Sequence, residues 1–250
     1  MTKKVFKFYT NASFLILFLI LQGSTVFSQK IESQFPEPTV IQPGKKGKAP
    51  SDAIVLFDKG SLSKFESSKN GGPAAWKVNG RQFTVVPGTG SIQTKEKFSD
   101  CQLHIEWKTP LKDVWEGKVS QGNGNSGIFL MGNYEVQVLN SFINKTYPDG
   151  QAGAIYKQYP PLVNTSLKPG KWQVYEIIFT APRFNSDGSK KTSGYFTVLH
   201  NGVLIQNHVE IKGPTRPAEK KFPVNQTELP LQLQDHNNEV SYRNIWIRKL

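Results

Sequence analysis

Three short segments of the chain carry polar side chains at a spacing of two residues. These side chains are Glu135 and Gln137; His104 and Glu106; and Gln232, Gln234 and His236. Residues two apart in an extended strand project from the same face of a sheet. Carboxylate, imidazole and amide groups that meet on one face could bind sugar hydroxyls and transfer protons. The same spacing also describes the solvated face of any antiparallel sheet, so the pattern by itself leaves both interpretations open.

Single aromatic and histidine residues give weaker signals. Trp107 and Trp246 alternate with polar neighbours and are predicted to lie in a core. Trp115 and Tyr147 lie in Gly- and Pro-rich stretches and are the better candidates for stacking on sugar rings. His208 follows an Asn–Gly turn, and an isolated histidine is more often structural than catalytic.

Several other classes of chemistry lack support in the sequence. The glycine-rich run from Gly122 to Gly127 lacks the strand–helix context and the following Lys-Ser/Thr of a phosphate-binding loop. The chain has no closely spaced Cys/His cluster and no nucleophile elbow. We therefore expect neither a nucleotide cofactor nor acyl-enzyme chemistry. The net charge is +12, and the basic pairs Lys45–Lys46, Lys190–Lys191 and Lys220–Lys221 lie among Gly, Ser, Pro and Glu. Such scattered pairs are typical of solvated loops, so we predict no nucleic acid partner.

Short apolar runs recur between Gly, Pro, Asn and Asp residues from Ile54 onward. In Leu103–Lys108 the apolar residues fall on one face and the polar residues on the other, as in a half-buried strand. Asn201–Gly202, between two such runs, predicts a two-residue hairpin turn. About a dozen strands without an amphipathic helix predict a single all-β domain, a two-sheet antiparallel sandwich, with a closed barrel as the alternative.

The N-terminal part of the chain predicts export. Residues 1–28 have a basic start, a short apolar stretch and small residues before Gln29, as in a secretory signal peptide. Residues 29–52, rich in Pro and Lys, predict a flexible leader, and residues 53–250 form the predicted β-sandwich domain. The single cysteine, Cys101, cannot form an intramolecular disulfide. We expect a periplasmic or secreted protein with no membrane contact after signal cleavage.

Four segments of the chain resemble the 3-keto-disaccharide hydrolase domain family. Asn125–Leu130 and Tyr134–Leu139 read NSGIFL and YEVQVL, and Gly153–Tyr156 and Leu231–His236 read GAIY and LQLQDH. The resemblance extends over residues 52–250. It implies a concanavalin-like jelly-roll sandwich, in agreement with the strand pattern.

The resemblance also implies action on glycosides whose C3 hydroxyl has been oxidised to a ketone. A C3 ketone acidifies the C2 proton, so a base can remove that proton and the glycosidic oxygen can leave by elimination. Water then adds to the resulting enone. Such a site needs a base near C2, an acid near the leaving oxygen and a group that stabilises the enolate. We therefore predict an exported hydrolase or lyase with a saccharide or glycoside substrate.

The family motifs assign roles to individual residues. By position, Glu135 and His236 are the predicted proton-transfer residues, and Gln137, Gln234 and Arg243 would orient the sugar or hold the enolate oxygen. Further substrate-binding candidates are Glu106, Tyr156 and His208. A divalent metal that bridges the ketone could replace the enolate-stabilising groups, with Glu135 and His236 among its possible ligands. No other cofactor is expected.

One position departs from the family pattern and keeps two other functions open. Many relatives carry Asp three residues after the motif Gln, whereas this chain has Asn140. If that Asp is catalytic or binds metal, the chain could be a non-catalytic, lectin-like carbohydrate-binding sandwich. A conventional glycosidase would instead need two carboxyl groups about 5–9.5 Å apart, and Glu106 with Glu135 is the pair to test.

Overall fold

The computed structural model describes residues 35–45, 47–111, 120–215 and 227–250. The predicted signal peptide lies outside these ranges. The compact unit that holds the β-structure runs from Ile41 to Leu250, and residues 35–40 belong to a separate N-terminal unit. The compact unit therefore begins within the predicted leader. Over the described ranges, no helix has the length and apolar character that a membrane crossing requires.

The described residues form two antiparallel sheets and a two-stranded ribbon. Sheet A consists of β1 (Ile54–Phe57), β3 (Lys77–Asn79), β4 (Gln82–Thr84), β6 (Cys101–Lys108), β9 (Gln173–Thr180), β12 (Tyr195–His200), β13 (Val203–Glu210) and β15 (Ser241–Lys249). Sheet B consists of β2 (Phe65–Ser67), β5 (Ile92–Phe98), β7 (Ser126–Leu130), β8 (Tyr134–Val138) and β14 (Leu229–Leu233). The ribbon pairs β10 (Arg183–Phe184) with β11 (Lys190–Thr192), and Pro148–Gly150 form a 3₁₀ turn.

Strand order determines which side chains become neighbours. Sheet A runs β13-β12-β9-β6-β15-β4-β3, with β1 also paired to β15, and sheet B runs β2-β5-β14-β7-β8.

The predicted Asn201–Gly202 turn is confirmed between β12 and β13. Both residues have positive φ, 52° and 80°, as the tight turn of a right-twisted hairpin requires.

A continuous aromatic and aliphatic core lies between the two sheets. The Phe65 ring of sheet B lies 5.8 Å from the Phe83 ring of sheet A. The Tyr242 hydroxyl of β15 donates to Ser126 Oγ of β7 at 2.7 Å, so even the polar groups of the core join the sheets. The predicted all-β two-sheet sandwich is confirmed, and its arrangement is consistent with a jelly roll.

The shared core leaves each sheet one outer face. Residues alternate along a strand between the core and the outer face, and the two outer faces lie on opposite sides of a sandwich. A polar side chain on the outer face of sheet A therefore does not share a surface with a polar side chain on the outer face of sheet B.

Candidate active site

Glu135 and Gln137 lie on the outer face of sheet B, on strand β8. The alternate residues of β8 point into the core, where the Tyr134 ring lies 5.8 Å from the Phe179 ring of sheet A. Glu135 and Gln137 therefore face away from the core, yet only 5% and 1% of their surfaces are exposed. The two side chains thus line a covered polar region rather than an open, solvated face.

The register of sheet B places further polar residues beside this pair. Glu135 is separated from Gln232 of β14 by a single residue of β7, to which both are paired. Gln137 is paired with Gly127, whose carbonyl accepts the Gln234 backbone N–H at 3.0 Å. The predicted site residues Glu135, Gln137 and Gln234 are thus gathered on neighbouring strands of one sheet.

Gly127 leaves the space that the Glu135 carboxylate occupies. A Cβ at position 127 would clash with Glu135 Oε1 and lie 3.0 Å from Glu135 Cδ, and it would also clash with the Phe129 ring. The φ of Gly127 is outside the left-handed region, so room, not backbone conformation, makes a glycine necessary here. The carboxylate leans over Gly127, towards the row that Gln137 and Gln234 define.

The chain that follows the 3₁₀ turn extends sheet B beyond β8. The Gln137 N–H donates to the Ala154 carbonyl at 3.0 Å, and the Tyr156 N–H donates to the Glu135 carbonyl at 3.2 Å. This pairing makes Tyr156 the direct neighbour of Glu135. Tyr156, a predicted substrate-binding residue, is therefore brought to the site.

Tyr147 and Tyr156 form a hydroxyl pair at this end of the site. Their Oη atoms are 2.8 Å apart, and Lys157 Nζ lies 3.3 Å from the centre of the Tyr147 ring. Burial raises the pKa of the Tyr147 hydroxyl, and the hydrogen bond to Tyr156 and the charges of Asp149 and Glu135 raise it further. Tyr147 therefore stays protonated at neutral pH and can act as a hydrogen-bond donor.

Amide side chains form the wall beside Gln137. Gln137 Nε2 donates to Asn125 Oδ1 at 3.2 Å, and Asn125 Nδ2 donates to the Gln121 carbonyl at 2.5 Å. Asn140 is buried in the same wall, where its backbone N–H donates to the Asn123 carbonyl at 3.0 Å. Asn140, the position at which the chain departs from the family pattern, thus follows the strand that carries Gln137 by two residues.

His236 lies further along the same sheet. It follows the end of β14 by three residues, is exposed, and lies in a turn that is held where the Gly124 N–H donates to Asn238 Oδ1 at 3.0 Å. Gln232 lies level with Glu135 across the sheet. His236 follows Gln232 by four residues, which places it up to about 13 Å further along the strand direction. Tyr156 is consequently nearer to Glu135 than His236 is.

Glu106 and Arg243 lie on the outer face of sheet A, on the opposite side of the sandwich from Glu135. Arg243 Nε donates to Glu106 Oε2 at 2.5 Å, and Asn244 Nδ2 donates to Glu106 Oε1 at 2.8 Å. The structure therefore does not bring Glu106 and Arg243 together with Glu135, which corrects the expected grouping. Glu106 and Glu135 cannot flank one cleft, so a conventional glycosidase built on that pair is not supported.

His104 lies between two carboxylates in the sheet A cluster. Its Nδ1 contacts Glu176 Oε1, and its Nε2 is 3.7 Å from Glu106 Oε1. Burial alone would lower the pKa of His104, but the hydrogen bonds and charges of Glu106 and Glu176 outweigh it and raise the pKa to about 9. Burial alone would raise the pKa of Glu106, but hydrogen bonds from His104, Asn244 and Arg243 lower it to about 2. The two shifts favour the charged form of each group at neutral pH.

His208 lies on the edge strand β13 of sheet A. Its ring stacks on Tyr195 at a centroid distance of 4.3 Å, and its φ of 49° falls at an irregularity of the β12–β13 pairing. The structure does not bring His208 to the Glu135 face. The stacking supports the structural interpretation of this isolated histidine.

The described residues do not assemble a metal site. Within these ranges, His, Cys, Asp and Glu side chains form no group of three or more that could hold an ion. The neighbours of Glu135 include Gly127, Phe129 and Tyr156. The divalent metal considered from the sequence, with Glu135 and His236 among its possible ligands, stays a prediction.

Two side-chain pairings in the site are not predictable from the sequence pattern. Tyr147 is the partner of Tyr156, and Asn125 is the partner of Gln137. Both residues lie in loops, where periodicity does not fix position. The available signal for Asn125 is its place at the start of the NSGIFL motif. Trp115, the other stacking candidate, lies outside the described residues.

The fold and the site together define a class of protein. It is an all-β sandwich in which one covered sheet face holds a carboxylate, phenols and amides, a set suited to polyhydroxylated ligands. A profile of the 3-keto-alpha-glucoside-1,2-lyase-like domain family matches residues 52–248. This chain belongs to that family, as its motifs predict.

Solved structures agree with this assignment. The chain is similar to a provisionally assigned glycosyl hydrolase from Parabacteroides distasonis, with 48% identity and a TM-score of 0.81 over 91% of this chain and 98% of that chain. Another provisionally assigned glycosyl hydrolase of that species has 19% identity and a TM-score of 0.57 over 80% and 94% of the two chains, which supports the fold alone. No curated protein matches the chain. Family and structure support a carbohydrate-active, hydrolase-like role.

The packing of Glu135 over Gly127 can be tested by substitution. Gly127→Ala should lower the free energy of unfolding by about 1–3 kcal/mol, because the added methyl overpacks the space held by Glu135 and Phe129. Urea unfolding measures the change. Gly213→Ala is the matched control, since a Cβ there meets nothing within 4 Å. Equal stabilities of the two variants would contradict the packing.

The charge on His104 predicts a pH dependence of stability. Its pKa in the folded protein, about 9, is above the ordinary value of 6.5, so its stabilisation is complete below pH 6.5 and is lost as the pH rises through 9. Between those limits the wild-type protein should lose up to about 3 kcal/mol. His104→Gln should show a much flatter profile in urea unfolding, whereas His208→Gln should follow the wild type. A wild-type profile without this decline would refute the charged state.

Proposed function

We propose that this protein is an exported enzyme that cleaves 3-keto-glycosides by elimination followed by hydration. The covered Glu135 carboxylate, with amides on one side and the Tyr147–Tyr156 pair on the other, is the observation that carries this proposal. Membership of the family supports the substrate class. The predicted signal peptide supports a periplasmic or secreted location.

Glu135 is the proposed base for the first step. It removes the proton from C2 of the 3-keto sugar, and the electrons of that bond form the C2–C3 enolate. The amide N–H groups of Gln137 and Gln234 are the proposed donors to the enolate oxygen, where negative charge develops. Covering of this face from solvent strengthens those hydrogen bonds, since charges interact more strongly away from water.

The Tyr147–Tyr156 pair is the proposed acid for the second step. The enolate electrons form the C1–C2 double bond and expel the glycosidic oxygen from C1, which takes a proton from the phenol pair. Lys157, 3.3 Å from the Tyr147 ring centre, would stabilise the phenolate that remains. The exposed His236 would serve proton exchange at the open end of the site.

Hydration completes the reaction and restores the starting protonation states of Glu135 and the phenol pair. Water adds to C1 of the enone, the proton on Glu135 returns to C2, and the proton that water releases returns to the phenolate. The sum is hydrolysis of one glycosidic bond, with the C3 ketone retained. A protein that stopped after elimination would act as a lyase on the same substrate.

Replacement of Glu135 tests the base. Glu135→Gln should lower turnover of a 3-keto-glucoside by about 10²–10⁴-fold, the range for loss of a general base, while unoxidised glucoside is not cleaved by either protein. Glu106→Gln, on the opposite face, is the matched control and should retain activity. Sugar release is measured by chromatography with and without a chelator. Binding of the 3-keto-glucoside by the wild type without turnover would replace the enzyme with the lectin-like alternative.

Removal of one phenol tests the acid. Tyr156→Phe should slow release of a sugar leaving group by about 10²-fold but should slow release of p-nitrophenol much less, because that leaving group needs no proton. Tyr195→Phe, which alters a ring on the sheet A face, is the control. Equal losses on both leaving groups would assign Tyr156 to binding instead of proton donation.

A further inference from the structure

The outer face of sheet A carries a pocket that the proposed reaction does not use. It has a volume of about 550 Å³, within the range of small-molecule sites, roughly 300–1,000 Å³. Its polar lining residues are Lys48, Asp58, Arg81, Glu106, Arg243 and Asn244. Glu106 and Arg243 belong to sheet A, so this pocket lies on the opposite side of the sandwich from Glu135.

The floor of the pocket is held in one arrangement by the residues beneath it. Glu106 accepts hydrogen bonds from Arg243 Nε and Asn244 Nδ2. The guanidinium of Arg243 lies 4.1 Å from the centre of the Trp172 ring, an arrangement that fixes its plane. The terminal Nη groups of Arg243 have no hydrogen-bond partner in the described part of the chain, and its side chain is 39% exposed. A planar pair of donors is therefore presented to the pocket.

The charges that line the pocket favour an anion. Lys48, Arg81 and Arg243 are three cations and Asp58 and Glu106 are two anions, which leaves one positive charge. Both carboxylates already have partners, since Asp58 pairs with Arg81 and Glu106 with Arg243. Lys48 has no ion-pair partner among the described residues. The pocket therefore has cationic donors without a partner, Lys48 and the Nη groups of Arg243, whereas both of its carboxylates are paired.

The carboxylates of the pocket also limit what kind of anion fits. Glu106 Oε1 faces both Asn244 and His104, whereas Oε2 accepts one hydrogen bond, from Arg243. Oε2 can accept another, which suits a hydroxyl next to a single negative charge. A doubly charged phosphate would instead bring excess negative charge close to Glu106 and Asp58. Planar guanidinium donors match a carboxylate in two parallel hydrogen bonds.

We propose that this pocket binds a sugar acid, a monosaccharide that carries one carboxylate, with the carboxylate on the Nη groups of Arg243 and near Lys48. The ligand hydroxyls would donate to Glu106. This site is independent of the Glu135 face, so it stands whether or not the proposed reaction is correct.

Calorimetric titration with glucuronate tests this site, with glucose as the neutral counterpart and glucose 1-phosphate as the phosphate counterpart. Glucuronate should bind saturably and at least about tenfold more tightly than either, and binding should weaken as salt is added. Arg243→Gln should weaken glucuronate binding by about tenfold or more. Lys48→Gln, which leaves Glu106 paired, should weaken it by a smaller factor.

Two control variants keep the interpretation specific. Arg183→Gln removes an arginine of similar exposure that pairs with Asp100, and it should bind glucuronate as the wild type does. Glu135→Gln should also bind normally, which separates this pocket from the candidate active site. Absence of saturable glucuronate binding would overturn the proposal, as would equal binding of glucose, tighter binding of the phosphate, or unchanged affinity in both Arg243→Gln and Lys48→Gln.

Discussion

Alternation of side chains about one shared core is the constraint on which the rest of this structure depends. Each strand gives every second residue to the core, so the polar remainder is divided between two outer faces that cannot meet. The Tyr242–Ser126 hydrogen bond and the Phe65–Phe83 contact hold the sheets together across that core. The division explains why polar ladders that look alike in the sequence belong to two separate sites.

The two outer faces use different chemistry. On sheet B, the Glu135 carboxylate lies among amides and paired phenols, the set on which the proposed proton transfers depend. On sheet A, His104 is held as a cation between carboxylates and Glu106 as an anion beneath Arg243, which suits recognition by fixed charges. A group with a strongly stabilised charge is a poor carrier of protons near neutral pH, so the two faces are suited to different tasks.

The sequence predicts the strands well and their partners poorly. Alternation in Leu103–Trp107 and Tyr134–Leu139 identifies β6 and β8. Alternation does not identify β5, because its central Lys-Glu-Lys run is exposed at all three positions. Periodicity says that Glu106 and Glu135 each leave the core, but the sheet to which a strand belongs depends on long-range pairing. Tyr147 is harder still, because its position follows from the 3₁₀ turn and the Tyr156 contact rather than from any local pattern. Spacing shows only that Glu135 and Gln137 share one face of a strand. The family motifs assign these residues to a site, because a motif reflects which residues are neighbours in the folded protein.

The carbonyl of Gly47 has a consequence for how this domain can be delimited. It accepts hydrogen bonds from Asn244 at 3.0 Å and from the Trp246 indole at 2.9 Å, although Gly47 precedes the first strand. A recombinant fragment trimmed to the start of β1 would lose the hydrogen bond from the indole, at a cost of about 0.5–1.5 kcal/mol, and would uncover the ring stacked on His104. The boundary that a strand pattern or a family profile suggests is therefore later in the chain than the boundary of the stable folding unit.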